Sequence, residues 1–166
     1  MKKLVLVLAI VFAGVMSANA QMWIGGGLGA NIDKGYTYIN LAPELGYVIN
    51  DQWQAALGVD YSMTKYEGVD AANVLYLQPY VRYVGGTIGH KFSLFADLTG
   101  DFGVVGAKNC YAVMLQPGIA WNPTEKFTVA FRFARVGYDH GIYPGGEGFQ
   151  LYGALAANRL GIYYNF

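Results

Sequence analysis

Leu41-Ala42-Pro43-Glu44-Leu45-Gly46-Tyr47 returns in outline as Leu77-Gln78-Pro79-Tyr80-Val81-Arg82-Tyr83 and again as Leu115-Gln116-Pro117-Gly118-Ile119-Ala120-Trp121. In each copy every second residue, from the leucine to the closing aromatic, is apolar, and most residues between them are polar or small. A period of two is the mark of a β-strand with two different faces. The prolines stand 36 and 38 residues apart, and each copy leads into a polar or glycine-rich turn and a second alternating segment. One period is therefore two strands with their connections. Four periods fit residues 21–166, which predicts eight strands.

Read outward from the repeat, the strands fall at 22–32, 38–48, 52–63, 74–84, 92–103, 111–121, 127–138 and 150–166. Long connections are expected at 33–37, 64–73, 104–110 and 139–149, and tight turns at 49–51, 85–91 and 122–126. One parity is almost wholly apolar throughout. The other carries Asn40, Glu44, Gln54, Asp60, Gln78, Arg82, Asp97, Thr99, Asp101, Gln116, Arg132 and Arg159 among glycines, alanines and serines. Arg135 is the one charge expected on the apolar parity, where its stem would lie along apolar surface and its head reach lipid phosphates.

Alternation alone does not say which face points inward, because a soluble barrel alternates too, with its apolar face inside. The lysines decide against that arrangement. Lys34, Lys65, Lys91, Lys108 and Lys126 all fall in expected connections, so no strand face carries the lysines that water-facing strands usually do. The apolar parity also ends in an aromatic on the turn side of strand after strand: Tyr47, Trp53, Tyr83, Phe92, Trp121, Phe127 and Tyr164. Amphipathic rings at one level are the interfacial girdle of a membrane barrel. Pro43, Pro79 and Pro117 each remove a ladder donor in mid-strand and favour neither arrangement. In hydrocarbon an unpaired strand edge costs several kcal/mol per polar group, on the order given for buried amides, so the sheet closes on itself. The expected fold is all-β: an eight-stranded antiparallel up-and-down transmembrane β-barrel.

A leader precedes the barrel. Lys2 and Lys3, the apolar run of residues 4–15 and the small-x-small site Ala18-Asn19-Ala20 have the layout of a secretory signal peptide. The run is too short for the ~20 residues a spanning helix needs. Residues 1–20 are read as the signal peptide, cleaved after Ala20, and 21–166 as one barrel domain. A chain that is 54% hydrophobic would suggest spanning helices, but past residue 20 no apolar run approaches the required length. Without Lys2 and Lys3 the acids slightly outnumber the bases, which gives no footprint for nucleic acid. Cys110, the single cysteine, has no partner for a disulfide, and no cysteine or histidine cluster points to a metal or another cofactor.

The ending Leu160-Gly161-Ile162-Tyr163-Tyr164-Asn165-Phe166 resembles the C-terminal signal of outer-membrane barrels. With the Pro-x-x-Gly-Tyr segment at Pro43 to Tyr47, residues 21–166 resemble the small outer-membrane-protein β-barrel domain family, often labelled porin-family. The size is similar to outer membrane protein X and to the barrel of outer membrane protein A. The resemblance implies a bacterial outer-membrane location, contact with outer-membrane lipid, and recognition by the barrel-assembly machinery through Ile162, Tyr164 and Phe166. It extends to the barrel and not to a peptidoglycan-binding domain; a monomer is expected.

Eight strands enclose a space that side chains alone can fill. The inward parity offers Glu44, Asp60, Asp97 and Asp101 against Arg82, Arg132 and Arg159, a near-balance that predicts an ion-pair network. Asp97, Arg132, Arg159 and Glu44 are expected at similar depth. Two readings of that network stand: a structural plug in a barrel with a structural or surface-interaction role, or a narrow conduit or binding site for small solutes. The connections 64–73 and 139–149 suit a surface contact whose ligand the sequence does not name. A lipid-modifying enzyme is the third reading. Asp139 adjoins His140, but neither Ser62 nor Ser93 is placed with them and His90 lies on the turn side, so no catalytic set is expected. The leader makes the first testable claim: the exported protein should begin at Gln21 by N-terminal sequencing, and an uncleaved Met1 start would refute it.

Overall fold

The computed structural model describes residues 21–89, 91–107, 109–142, 146–153 and 159–166. The signal segment with Ala18 and Ala20, together with His90, Lys108 and the side chain of Arg159, lies outside what is described. Ten strands follow in chain order: β1 (Met22–Asp33), β2 (Tyr36–Val48), β3 (Trp53–Tyr66), β4 (Ala72–Ile88), β5 (Phe92–Val105), β6 (Tyr111–Thr124), β7 (Phe127–Arg132), β8 (Arg135–His140), β9 (Glu147–Tyr152) and β10 (Arg159–Asn165). Sequence neighbours from β1 to β6 pair antiparallel. β6 then pairs with β7 over its turn-side half and with β8 over its loop-side half, while β10 joins β7 to β1. Because β7 and β8 form one stave and β9 and β10 another, the sheet is a closed eight-stranded antiparallel barrel.

Several strands run past their expected ends. β3 continues to Tyr66 and β4 to Ile88, so the connection expected at 64–73 shrinks to 67–71 and the turn at 85–91 to 89–91. Lys65 therefore sits in a strand, exposed at the loop-side end opposite Thr37, and not in a connection. Much of 139–149 is likewise the end of the β8–β9 hairpin. Ladder hydrogen bonds continue where the apolar alternation has stopped, and alternation was the only signal the sequence offered there. The turns themselves follow local chemistry. Asn50 Oδ1 accepts from the N–H groups of Gln52 and Trp53, both at 2.9 Å, and Gly35 takes the positive φ of 77° that closes β1 onto β2.

The three prolines occupy equivalent places in β2, β4 and β6. Each is paired on the side of the preceding strand, as Gly26↔Pro43, Leu57↔Pro79 and Ala96↔Pro117. Towards the following strand the pairing skips positions 42–43 in β2, 78–79 in β4 and 116–117 in β6. A proline has a carbonyl but no N–H, so it can serve the ladder only as an acceptor. Pro117 does so, taking the N–H of Phe133 at 3.1 Å.

Opposite Pro117 the chain also changes register. Gly118 faces Arg132, but Leu115 faces Val136, so three residues of the β7–β8 stave span two of β6. That is a β-bulge, and it inverts the parity of everything beyond it. The expectation of a lipid-facing Arg135 is overturned for this reason: Arg135 is 5% exposed and points into the barrel, and Asp139 follows it inward. Inserting one alanine after Ala134 should turn both charges outward onto the apolar face and abolish the heat-modifiable folded band on a gel. Deleting Ala134 makes the ladder continuous with both charges still inward, as beside Pro43, and should leave the folded band in place.

Candidate functional site

The inner face is held by a cluster of two arginines and two acids. Arg82 on β4 and Asp97 on β5 are directly opposed across their ladder, so the guanidinium lays its fork on the carboxylate: Nε to Oδ1 at 2.7 Å and Nη2 to Oδ2 at 2.9 Å. Arg132 of β7 joins them, donating from Nε to the same Asp97 Oδ2 at 2.7 Å. Its remaining nitrogens reach Glu44 of β2 at 3.3 and 3.1 Å and the Tyr163 hydroxyl of β10 at 3.1 Å. Glu44 also accepts from Tyr80 at 2.5 Å and Tyr163 at 3.2 Å. Side chains from β2, β4, β5, β7 and β10 thus meet across the lumen, and none of the four charged ones is more than 6% exposed. Two positive groups face two negative ones with charge-assisted hydrogen bonds throughout, the condition under which buried ions are tolerated.

Aromatic rings close the space around the cluster. Arg82 Cζ lies 4.0 Å over the Phe95 ring, close enough for a cation–π contact, and Trp23 packs edge-on against Tyr163 at 4.9 Å. The barrel seats rings of this size because glycines face them: Trp23 opposite Gly46, Phe95 opposite Gly118, Tyr163 opposite Gly25. A Cβ on any of these glycines would run into the ring it faces.

Above this layer, towards the loops, lies a second. Asp101 accepts from Gln78 at 2.9 Å and pairs with Arg135 at 3.8 Å, and Arg135 Nε donates to Gln116 at 3.1 Å. Gln116 passes the chain on to Thr99 at 2.7 Å. Asp60 keeps to the opposite wall with Asn40 at 2.5 Å. Nearest the loops, Asp139 takes the Tyr152 hydroxyl at 2.7 Å and the Ile142 N–H at 2.9 Å, beside an apolar cluster that includes Ala112, Met114 and Ile142.

Of the charges expected in the lumen, the structure gathers Glu44, Arg82, Asp97 and Arg132 into one cluster and places Asp101 and Asp60 elsewhere. The side chain of Arg159, expected at the same depth, lies outside the described part, although its backbone pairs with Arg132. Sequence reasoning missed Trp23, Tyr80, Phe95, Tyr163, Arg135 and Asp139 as inward groups. For three of the rings a signal existed in the inward glycine across the ladder, readable once the register is known.

The aromatic row stands on the outer face at the turn-side strand ends. Trp53 is opposite Tyr83 with ring centres 5.0 Å apart, Phe92 is opposite Trp121, and Phe127 is opposite Tyr164 at 5.4 Å. Tyr47 pairs with Met22 and Ala55 at the same level. Phe166 lies 5.3 Å from Tyr164, and Ile162 is the next outward residue of β10. On the loop side His140 is partnered by Glu147 at 3.0 Å and by the Tyr111 ring, not by its neighbour Asp139. Ser93 lies at the turn side, accepting from Asn122 at 3.4 Å, and Ser62 faces Asn40 and Val74 in its ladders.

The chain is similar in structure to the N-terminal β-barrel domain of Pseudomonas aeruginosa OprF. What the two share is the barrel. At 17% sequence identity the likeness covers 89% of this chain and 98% of that one, with a TM-score of 0.51. No protein-family model matches the chain, and no curated protein sequence does.

The charged cluster predicts an ordering of stabilities. Asp97→Asn leaves two buried guanidinium groups short of charge and should cost about 3–5 kcal/mol. Thr128→Val, which removes hydrogen bonds to the neutral Asn122 and Asn165 at the turn-side wall, should cost about 1–2 kcal/mol. Urea unfolding in micelles, followed by tryptophan fluorescence, measures both, and equal costs would contradict the cluster's role.

Proposed function

We propose that this chain is a bacterial outer-membrane β-barrel with a structural or surface-interaction role and a lumen closed by its own side chains. The observation that carries the reading is the Arg82–Asp97–Arg132–Glu44 cluster, a balanced set of buried charges meeting from four of the strands. An outer face with Leu41, Val81, Leu98, Val113, Leu115 and Leu160 all exposed suits lipid and not water. The aromatic row marks one interface of that lipid, and the barrel shared with the OprF domain agrees with the location. Ile162, Tyr164 and Phe166 offer the barrel-assembly machinery its alternating apolar signal. The hairpins on the opposite side are left for a surface contact. The reading is monomeric and non-catalytic, with His140 held by Glu147 and the Tyr111 ring.

A narrow conduit is the second reading, favoured by a cavity of about 520 Å³ that opens on the turn side and reaches Arg82. Planar-bilayer recording separates the two. The expected result is a wild-type protein without steady openings. Steady openings that vanish in Arg132→Ala would replace the plug with the conduit.

A further inference from the structure

The turn-side cavity has a chemistry of its own. Its floor is Arg82, which is 5% exposed and has spent Nε and Nη2 on Asp97. Arg132, by contrast, has all three nitrogens engaged. Nη1 of Arg82 has no acceptor among the described residues. Gln54 faces Arg82 directly across the β3–β4 ladder, lines the same cavity and also makes no side-chain hydrogen bond to a described residue. The Trp23 indole N–H, in the same wall, is buried without a partner. The far wall is satisfied internally: Thr128 donates to Asn122 at 2.7 Å, and Asn165 to Thr128 at 3.3 Å. Arg82 Nη1 and the Gln54 amide are therefore left unspent at residues that line one concave space, whose other surfaces include Val48 and Val84. A space of this size suits a small molecule.

Charge selects the class of occupant. The floor cluster is already neutral, two arginines against two acids, and the cavity walls add Lys126 against Asp51 and Glu125. A carboxylate would add to the net negative charge of the walls and lie close to Asp97. A neutral carbonyl takes the same donors without that penalty.

We propose that the turn-side cavity binds a small uncharged molecule with an apolar body and a carbonyl acceptor, an amide or an ester, its oxygen on Arg82 Nη1 and Gln54 and its body against Val48 and Val84. This site is additional to the structural role and holds whether or not the lumen conducts.

The test uses the ¹⁵N-labelled protein refolded in micelles and N-acetyl-phenylalaninamide as the probe, read at the Gln54 side-chain amide and the Trp23 indole N–H. Saturable shifts at both groups are expected. Gln54→Leu, which breaks no described hydrogen bond, should weaken binding by roughly three- to tenfold. Val84→Trp should fill the space and abolish the shifts, and N-acetyl-phenylalanine, with its carboxylate, should bind more weakly than the amide. Shifts that rise linearly without saturating, shifts unchanged in the folded Gln54→Leu protein, or tighter binding of the carboxylate would each overturn the proposal.

Discussion

Asp97 receives two guanidinium groups at once, and the interior of the barrel is arranged around that fact. Its carboxylate has room for both only because Arg82 approaches from the adjacent strand, in ladder register, while Arg132 comes across the lumen. Arg132 then carries the connection to Glu44, and through Glu44 to Tyr80 and Tyr163. A ladder ties each strand only to its two neighbours. This cluster ties strands on opposite sides of the ring, and it does so with groups that cannot be left unpaired once they are removed from water.

The outer face was legible in the sequence and much of the inner face was not, for a physical reason. Every outward position on a stave meets the same surroundings, so the choice there repeats: Leu75, Leu77, Pro79, Val81 and Tyr83 read as one strand without knowledge of any other. An inward position meets whatever the rest of the ring sends to its level, which depends on register and tilt. Asp97 and Arg132 could be expected at one depth by counting from the aromatic row, and they do meet. Phe95 and Tyr163 could not be expected inside a barrel this narrow until Gly118 and Gly25 were known to face them.

Arg135 shows the limit most clearly. Counting by twos from Phe127 puts it outside, and the count is sound up to Phe133. The extra residue opposite Pro117 cannot be seen in the alternation, because the segment 133–134 holds a phenylalanine and an alanine that suit either face. The bulge is where the stave corrects its own parity, bringing Arg135 to Asp101 and Asp139 to Tyr152. Of the three prolines that interrupt a ladder, the one with the bulge opposite it lies immediately before the charges that need reorienting.

The pairing of inward rings with glycines has an implication for how such an interior can vary over time. Trp23 and Gly46, Phe95 and Gly118, and Tyr163 and Gly25 each divide a single volume between two staves. Neither member of a pair can enlarge alone, and shrinking the ring alone opens a void that no neighbour is shaped to fill. Change is therefore concerted: the ring and the glycine must trade size together, or the bulk must cross from one strand to the next. A lineage of such barrels would drift freely on its outer face while its interior moved only in these paired exchanges, so that two barrels of one shape could come to have very different contents.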